Sequence, residues 1–273
     1  MAEPGVVAGT AGIYRRVLAA QIRSQASYRA SFALDVSLNG LVPILDLITI
    51  LVVFGVTRSL GGFTATEVLV MFGLSATAFS VADLAVGNIE RIGFYVRSGL
   101  LDAVLLRPLS GFGQLLVLDF TPRRAGRVIV SVVVLAVALT RADVDWTPAR
   151  AALVALAPLA GAVIFGAVFV VGATVAFWWI DSGEFANGFT YGGRDFTSYP
   201  INIYSTFFRR AFAYSLGFGF VAYYPALALL GRADPLGLPS WVSWASPAIA
   251  VVAALGATLM WRRGIRRYRS TGS

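Results

Sequence analysis

Apolar residues in this chain gather into long runs, near the roughly 20 residues a helix needs to cross a hydrocarbon core. They do not alternate as in a strand or form the single stripe of a surface helix. Six runs predict six spanning helices, at about 33–57, 66–88, 124–140, 150–180, 210–230 and 243–261. The first carries Leu34, Leu38, Leu41, Ile44, Leu47 and Leu51, and the short third has Val132, Val133, Val134 and Leu135 at its centre. The fourth is longer than a bilayer requires, so a tilt or bend near Pro158 is expected. The expected fold is an all-α integral membrane protein, one transmembrane domain over residues 1–273.

The segments between the runs are patterned too. Over 12–31, Ile13, Val17, Leu18 and Ile22 lie on one side and Arg15, Arg16 and Arg23 on another, predicting an amphipathic helix on the membrane surface. Residues 1–12, with Glu3, Pro4 and several glycines, lack the basic start and apolar core of a signal peptide. The first span is therefore expected to serve as the insertion signal. The loop 89–123 contains a short apolar helix with a charged edge, between Ser98 and Leu109, stopped by Pro108. Such a helix wants a covering surface, either a partner protein or lipid. Residues 181–208 hold many glycines and aromatics and are expected to lie at the interface before the fifth span. The loops near 58–65, 141–149 and 231–242 are short.

Charge adds direction. Cytoplasmic flanks of spanning helices collect positive residues. With both termini cytoplasmic, this topology puts all of the 22 arginines inside except Arg58, Arg141, Arg150 and Arg232. Adding or dropping a span spoils that segregation. The net charge of +8 does not point to nucleic acid, because the arginines sit at helix ends, where anionic headgroups account for them. Trp178, Trp179, Trp241, Trp244 and Trp261 fall at the expected interfaces.

Composition removes whole classes of chemistry. Hydrophobic residues make up 58% and charged residues 13%, the latter about half the share in a soluble domain. The chain has no Lys, His or Cys. A P-loop needs its lysine, and zinc sites and assisted nucleophiles draw on His and Cys. No catalytic residue, metal site or cofactor is expected in this chain.

Ionisable residues inside spans are costly and are functional candidates. Asp35, Asn39, Asp46 and Thr49 fall within about 80° of arc on the first span at ~100° per residue. Thr77, Ser80 and Asp83 cluster on one face of the second. A cavity lined by Asp46 and Asp83 would be acidic and suit an organic cation; the alternative is hydrogen bonding or packing between helices. The run 210–230 is crowded with aromatics, among them Tyr214, Phe218 and Tyr223. They could contact a flat cation or pack the bundle. Asn39, Asp46, Ser80, Asp83, Tyr214, Phe218 and Tyr223 are the candidate substrate path.

Four stretches carry a resemblance: Gly99 to Leu109; Tyr199-Pro200 through Tyr204; Tyr223-Tyr224-Pro225-Ala226; and the ending Trp261, Arg266-Arg267-Tyr268, Gly272-Ser273. In their order and spacing the chain resembles the permeases of ABC transporters of the export (type 2) class, in particular a bacterial subfamily of paired six-span permeases. The resemblance implies that the loop between the second and third spans is a coupling helix docking into a separate cytoplasmic P-loop ATPase. Gly99, Leu101, Asp102, Leu105, Arg107 and Pro108 would lie on or beside it, with Glu90 and Arg91 leading in. Leu101 and Leu105, one turn apart, would share the docking face. It also implies a dimer of permeases, of this chain or with a related second chain. Two ATPase copies would bind ATP and magnesium, in the bacterial cytoplasmic (inner) membrane. The implied activity is export of a hydrophobic or cationic small molecule, as in multidrug efflux. Many such exporters carry re-entrant outer helices before the last span; 231–242 is short for them, so a differently built outer gate is expected.

Two other classes compete. A proton- or sodium-coupled secondary transporter could use Asp46 or Asp83, but no inverted repeat is visible. A membrane-embedded lipid-modifying enzyme would need a concentrated polar site, and the sequence shows none.

Overall fold

A computed structural model describes residues 4–268; Glu3 and the Gly272-Ser273 ending lie outside them. The described residues are almost all helical, without a strand. Four helices are long and apolar enough to cross a membrane: Arg29–Val56, Ala65–Arg97, Pro148–Val175 and Ser246–Arg267. Within the second, the α-helix proper ends at Val86 and continues through a tight turn, Gly87–Arg91.

In chain order, α1 is Pro4–Ala26, α2 Arg29–Val56, α3 Ala65–Val86, α4 Ile92–Arg97, α5 Leu100–Leu105 and α6 Gly111–Leu118. Then come α7 Ala125–Arg141, α8 Pro148–Val175 and α9 Gly183–Thr197. Next, α10 is Thr206–Phe208, running on as a π-helical stretch Arg209–Ser215; α11 is Tyr223–Leu230 and α12 Ser246–Arg267. Starts are fixed locally. Thr64 and Glu67 form a reciprocal capping box at α3, Thr147 caps α8 ahead of Pro148, and Ser110 caps α6.

The bundle has two ends, one marked by Glu67 and the other by Arg97. Helices α2, α7 and α9 run from the Arg97 end to the Glu67 end; α3, α8 and α12 run back. Helix α3 is the hub, packed against α7 on one side and α8 on the other, and α12 lies along α8. The core belongs to α3, where fourteen residues including Phe72, Leu74 and Phe79 are buried. Helix α2 is the reverse: only Gly40, Pro43 and Ile50 are buried, while Leu34, Leu38, Leu41 and Leu51 are exposed. An apolar stripe facing outward over a whole helix belongs against lipid. Pro158 lies inside an unbroken α8.

The expected fifth span, 210–230, is not one helix. Thr206–Ser215 and Phe218–Leu230 meet at 69°, at Gly217, whose φ of +75° is a left-handed conformation that glycine adopts without strain. Both limbs end at the Glu67 end of the bundle. Before the first limb, Asn202 donates to the Gly61 carbonyl at 2.7 Å. After the second, Arg232 pairs with Glu67 at 2.8 Å and donates to the Gly62 carbonyl at 3.1 Å. The pair is bent, and the segments on either side of it are both tied to the 61–67 stretch.

The segment 181–208, expected to lie flat, instead supplies the end-to-end run. Helix α9 starts where Asp181 pairs with Arg97 at 2.9 Å. It passes Phe79 and reaches Ser75, whose hydroxyl bonds that of Thr197 at 2.6 Å. Arg194 thereby sits inside the bundle, and Arg209 and Arg210 follow α9 at the Glu67 end, not with the other basic flanks. The bent pair of 206–230 precedes the last long helix.

Candidate functional site

A polar seam descends one side of α3. Ser75 meets Thr197, and Ser80 donates to the Thr77 carbonyl at 3.1 Å. Below them Asp83, 1% exposed, is gripped by Arg124 at 2.8 Å and Arg127 at 3.1 Å; Arg124 also donates to the Asp83 carbonyl at 2.7 Å. Lower still, Thr121 donates to Asn88 at 3.2 Å and Tyr191 to Glu90 at 3.4 Å. The arginines come from the turn before α7 and its first turn, so the seam ties α3 to α7 and α9. A buried carboxylate needs such partners, since desolvating a lone charge is expensive.

Asp46 has a partner from α9. Arg194 forms an ion pair with it and lies 5.5 Å from the centre of the Phe79 ring, a cation–π contact that shares the charge. The acidic cavity expected from Asp46 and Asp83 is therefore not formed. Each carboxylate faces arginine. Asn39 is not brought to either; its side chain donates to the Asp35 carbonyl of its own helix at 2.9 Å.

The aromatic residues of 210–230 split between core and edge. Phe218, 1% exposed, packs on Phe165 and Phe212. Tyr223, equally buried, donates to Asp234 at 2.8 Å. Tyr214 is half exposed and bonds Tyr224 at 3.4 Å. Phe189, Phe212, Phe196 and Tyr204 form a run of stacked and tilted rings along α9. These rings fasten the bent pair to α9.

At the Arg97 end, the loop 89–123 folds into α4, α5 and α6. Arg91 pairs with Asp119 at 2.7 Å, and Tyr95 donates to the same carboxylate at 2.8 Å. Gly99 turns the chain with φ +69°. Gln114 donates to the Val104 carbonyl at 2.9 Å, fixing α5 on α6. Asp102 stands beside the Tyr268 hydroxyl; burial first, and this carboxylate among the lesser causes, raises that hydroxyl above its ordinary value. The expected shared face of Leu101 and Leu105 is corrected here. Leu101 is fully buried and, with Val104, roots α5 in the bundle, whereas Leu100, Leu105 and especially Leu106, 86% exposed, face outward. Six residues are too few for one-turn spacing to decide which side meets the protein's own core. Arg107 and Pro108 are exposed. Helix α1 lies against α6, with Tyr14, Gln21 and Gln25 donating to the carbonyls of Ser110, Leu118 and Phe120.

The profile of the ABC-2 family transporter proteins matches residues 41–272. The chain belongs to the ABC-2 transporter family. No curated protein and no solved structure matches it. As an ABC-2 permease it is a multi-pass membrane component of a transporter. That puts the exposed apolar helices in lipid.

Residues that sequence reasoning passed over carry much of the seam. By sequence Arg124 and Arg127 look like basic flank, and Arg194 like part of a surface segment. Their signal was arithmetic: two carboxylates inside apolar runs each require a cation, and arginine is the only basic residue type present.

Proposed function

We propose that this permease is the membrane-spanning subunit of an ATP-driven exporter in a bacterial cytoplasmic membrane. It crosses six times, through α2, α3, α7, α8, α9 and α12, with both termini at the cytoplasmic, Arg97 end. Helices α7 and α9, of 17 and 15 residues, are about 26 and 22 Å long at ~1.5 Å per residue. Flanking turns and local thinning make up the rest. The α10–α11 hairpin dips in from the outer side.

Family membership over 41–272 carries the reading. ATP and magnesium belong to a separate cytoplasmic ATPase dimer, and the permease works as a dimer, with itself or with a related chain. The outward residues Leu100 and Leu105 of α5, with Leu106 and Arg107 just after it, meet the ATPase; Leu101 and Gly99 hold the helix in place. The cargo is a small hydrophobic molecule. Charge is a poor handle for it, since a cation at Asp46 or Asp83 would have to displace an arginine.

Co-purification of tagged permease from its native membrane in mild detergent is expected to bring a P-loop ATPase in stoichiometric amount. A folded chain without one would overturn the exporter reading in favour of gradient-driven transport. The topology has its own test, made clean by the absence of native cysteine. Single substitutions Ser59→Cys, Thr206→Cys and Gly237→Cys are expected to react with a membrane-impermeant maleimide from outside, and Ser98→Cys only after the membrane is opened. Protection of Thr206→Cys from outside would return the fifth crossing to 206–230.

A further inference from the structure

Between α3, α8 and α12 lies a trough of about 690 Å³ that neither the polar seam nor the α5 surface involves. Its floor is α8 at Ala162 and Gly166, its walls Ala85 of α3 and Ala257 of α12. Small residues make the space, for a larger side chain at any of these positions would fill it. The open side faces lipid, past exposed Leu159 and Val163. Thr258, on its rim, turns its hydroxyl to the Ala254 carbonyl at 2.7 Å and offers the trough no polar group. Trp261, packed edge-on against Phe112 at 5.2 Å, closes the Arg97 end beside Arg262.

We infer that the trough is a binding site for an anionic phospholipid of the inner leaflet, one acyl chain along the α8 floor and the headgroup on Arg262. The length fits. Along α12 the trough runs from Ala254 to Ile265, about 16 Å at ~1.5 Å per residue, or roughly half of a ~30 Å hydrocarbon core, the depth of one leaflet. Charge fits as well. Arg262 lines the mouth, α12 has no acidic residue anywhere, and among the described residues Arg262 pairs with no carboxylate. An apolar void open to a bilayer excludes water and takes hydrocarbon. The inference uses the permease reading only in placing α8 and α12 in the membrane with Arg262 at the inner surface.

Native mass spectrometry of the detergent-purified permease, equilibrated with phosphatidylglycerol or phosphatidylcholine of the same acyl chains, tests it. Wild type is expected to retain one lipid molecule with a preference for the anionic headgroup of about fivefold, the worth of one arginine near a negative lipid charge. Arg262→Gln should bring that ratio close to one, and Arg262→Lys should keep it. Gly166→Leu, whose new Cβ meets Val86 only at an ordinary 3.4 Å, should lose the lipid whichever headgroup it carries; Ala162→Leu is the second plug should that variant fail to fold. No headgroup preference in wild type, a preference that survives Arg262→Gln, or unchanged retention in a folded plugged variant would each overturn the site. No ATPase is in the assay, so its failure leaves the exporter reading standing, and the reverse holds too.

Discussion

Asp83→Ala is expected to deplete the folded permease more than any other single change to the polar seam. The carboxylate is 1% exposed and holds two arginines, themselves about three-quarters buried. Taking it away leaves two cations facing each other without an anion. Breaking a buried ion pair from one side costs about 3–5 kcal/mol. The loss should appear as a collapse in monodisperse protein and in the unfolding midpoint in detergent. Asp83→Asn, which keeps shape and hydrogen bonding, should cost less. The sharper check replaces Asp83, Arg124 and Arg127 together by Leu, Met and Met. With no charge left to desolvate, much of the lost stability should return. A melting curve for Asp83→Ala matching wild type would mean that the cluster holds nothing together.

The second large effect separates two leucines five positions apart. Leu106→Asp is expected to leave the permease folded and inserted while cutting cargo-stimulated ATP hydrolysis of the reconstituted complex about tenfold or more, as for an apolar anchor at an interface. Leu101→Asp should act through stability, because it buries a carboxylate where a leucine is fully enclosed. Hydrolysis at wild-type rate in the Leu106→Asp complex would remove this face from the ATPase contact. A well-folded Leu101→Asp permease would show that α5 is not rooted as described.

The contrast between those leucines marks how far the sequence could be read. Long apolar runs are nearly unambiguous, and α2, α3, α7, α8 and α12 lie close to where the runs at 33–57, 66–88, 124–140, 150–180 and 243–261 put them. Where hydropathy and function part, the reading failed. Helix α9 carries Asn187, Thr190, Tyr191, Arg194 and Asp195 among four glycines, so by composition it resembles an interface loop. Gly193 is a contact point, not a break; a side chain there would collide with the Phe218 ring. Conversely, 210–230 is apolar enough for a span, and hydropathy is blind to the 69° bend at Gly217. The seam was half legible. Asp46 and Asp83 stood out as misplaced charges, but their partners come from segments 148 and about 40 residues further along the chain, a pairing that no local pattern encodes.

That separation has a consequence in time. Arg194, in the last turn of α9, opposes insertion of a helix that is short and polar besides. It has little reason to stay in a bilayer until Asp46 receives Arg194. At synthesis rates of ~5–20 residues per second, α2 leaves the ribosome roughly 7–30 seconds before Arg194 does. Through that interval Asp46 waits without its cation, and the newborn chain depends on whatever shelters α2 at the insertion machinery. Variants with a slowed or stalled stretch between α2 and α9 would therefore be degraded although every mature contact is intact.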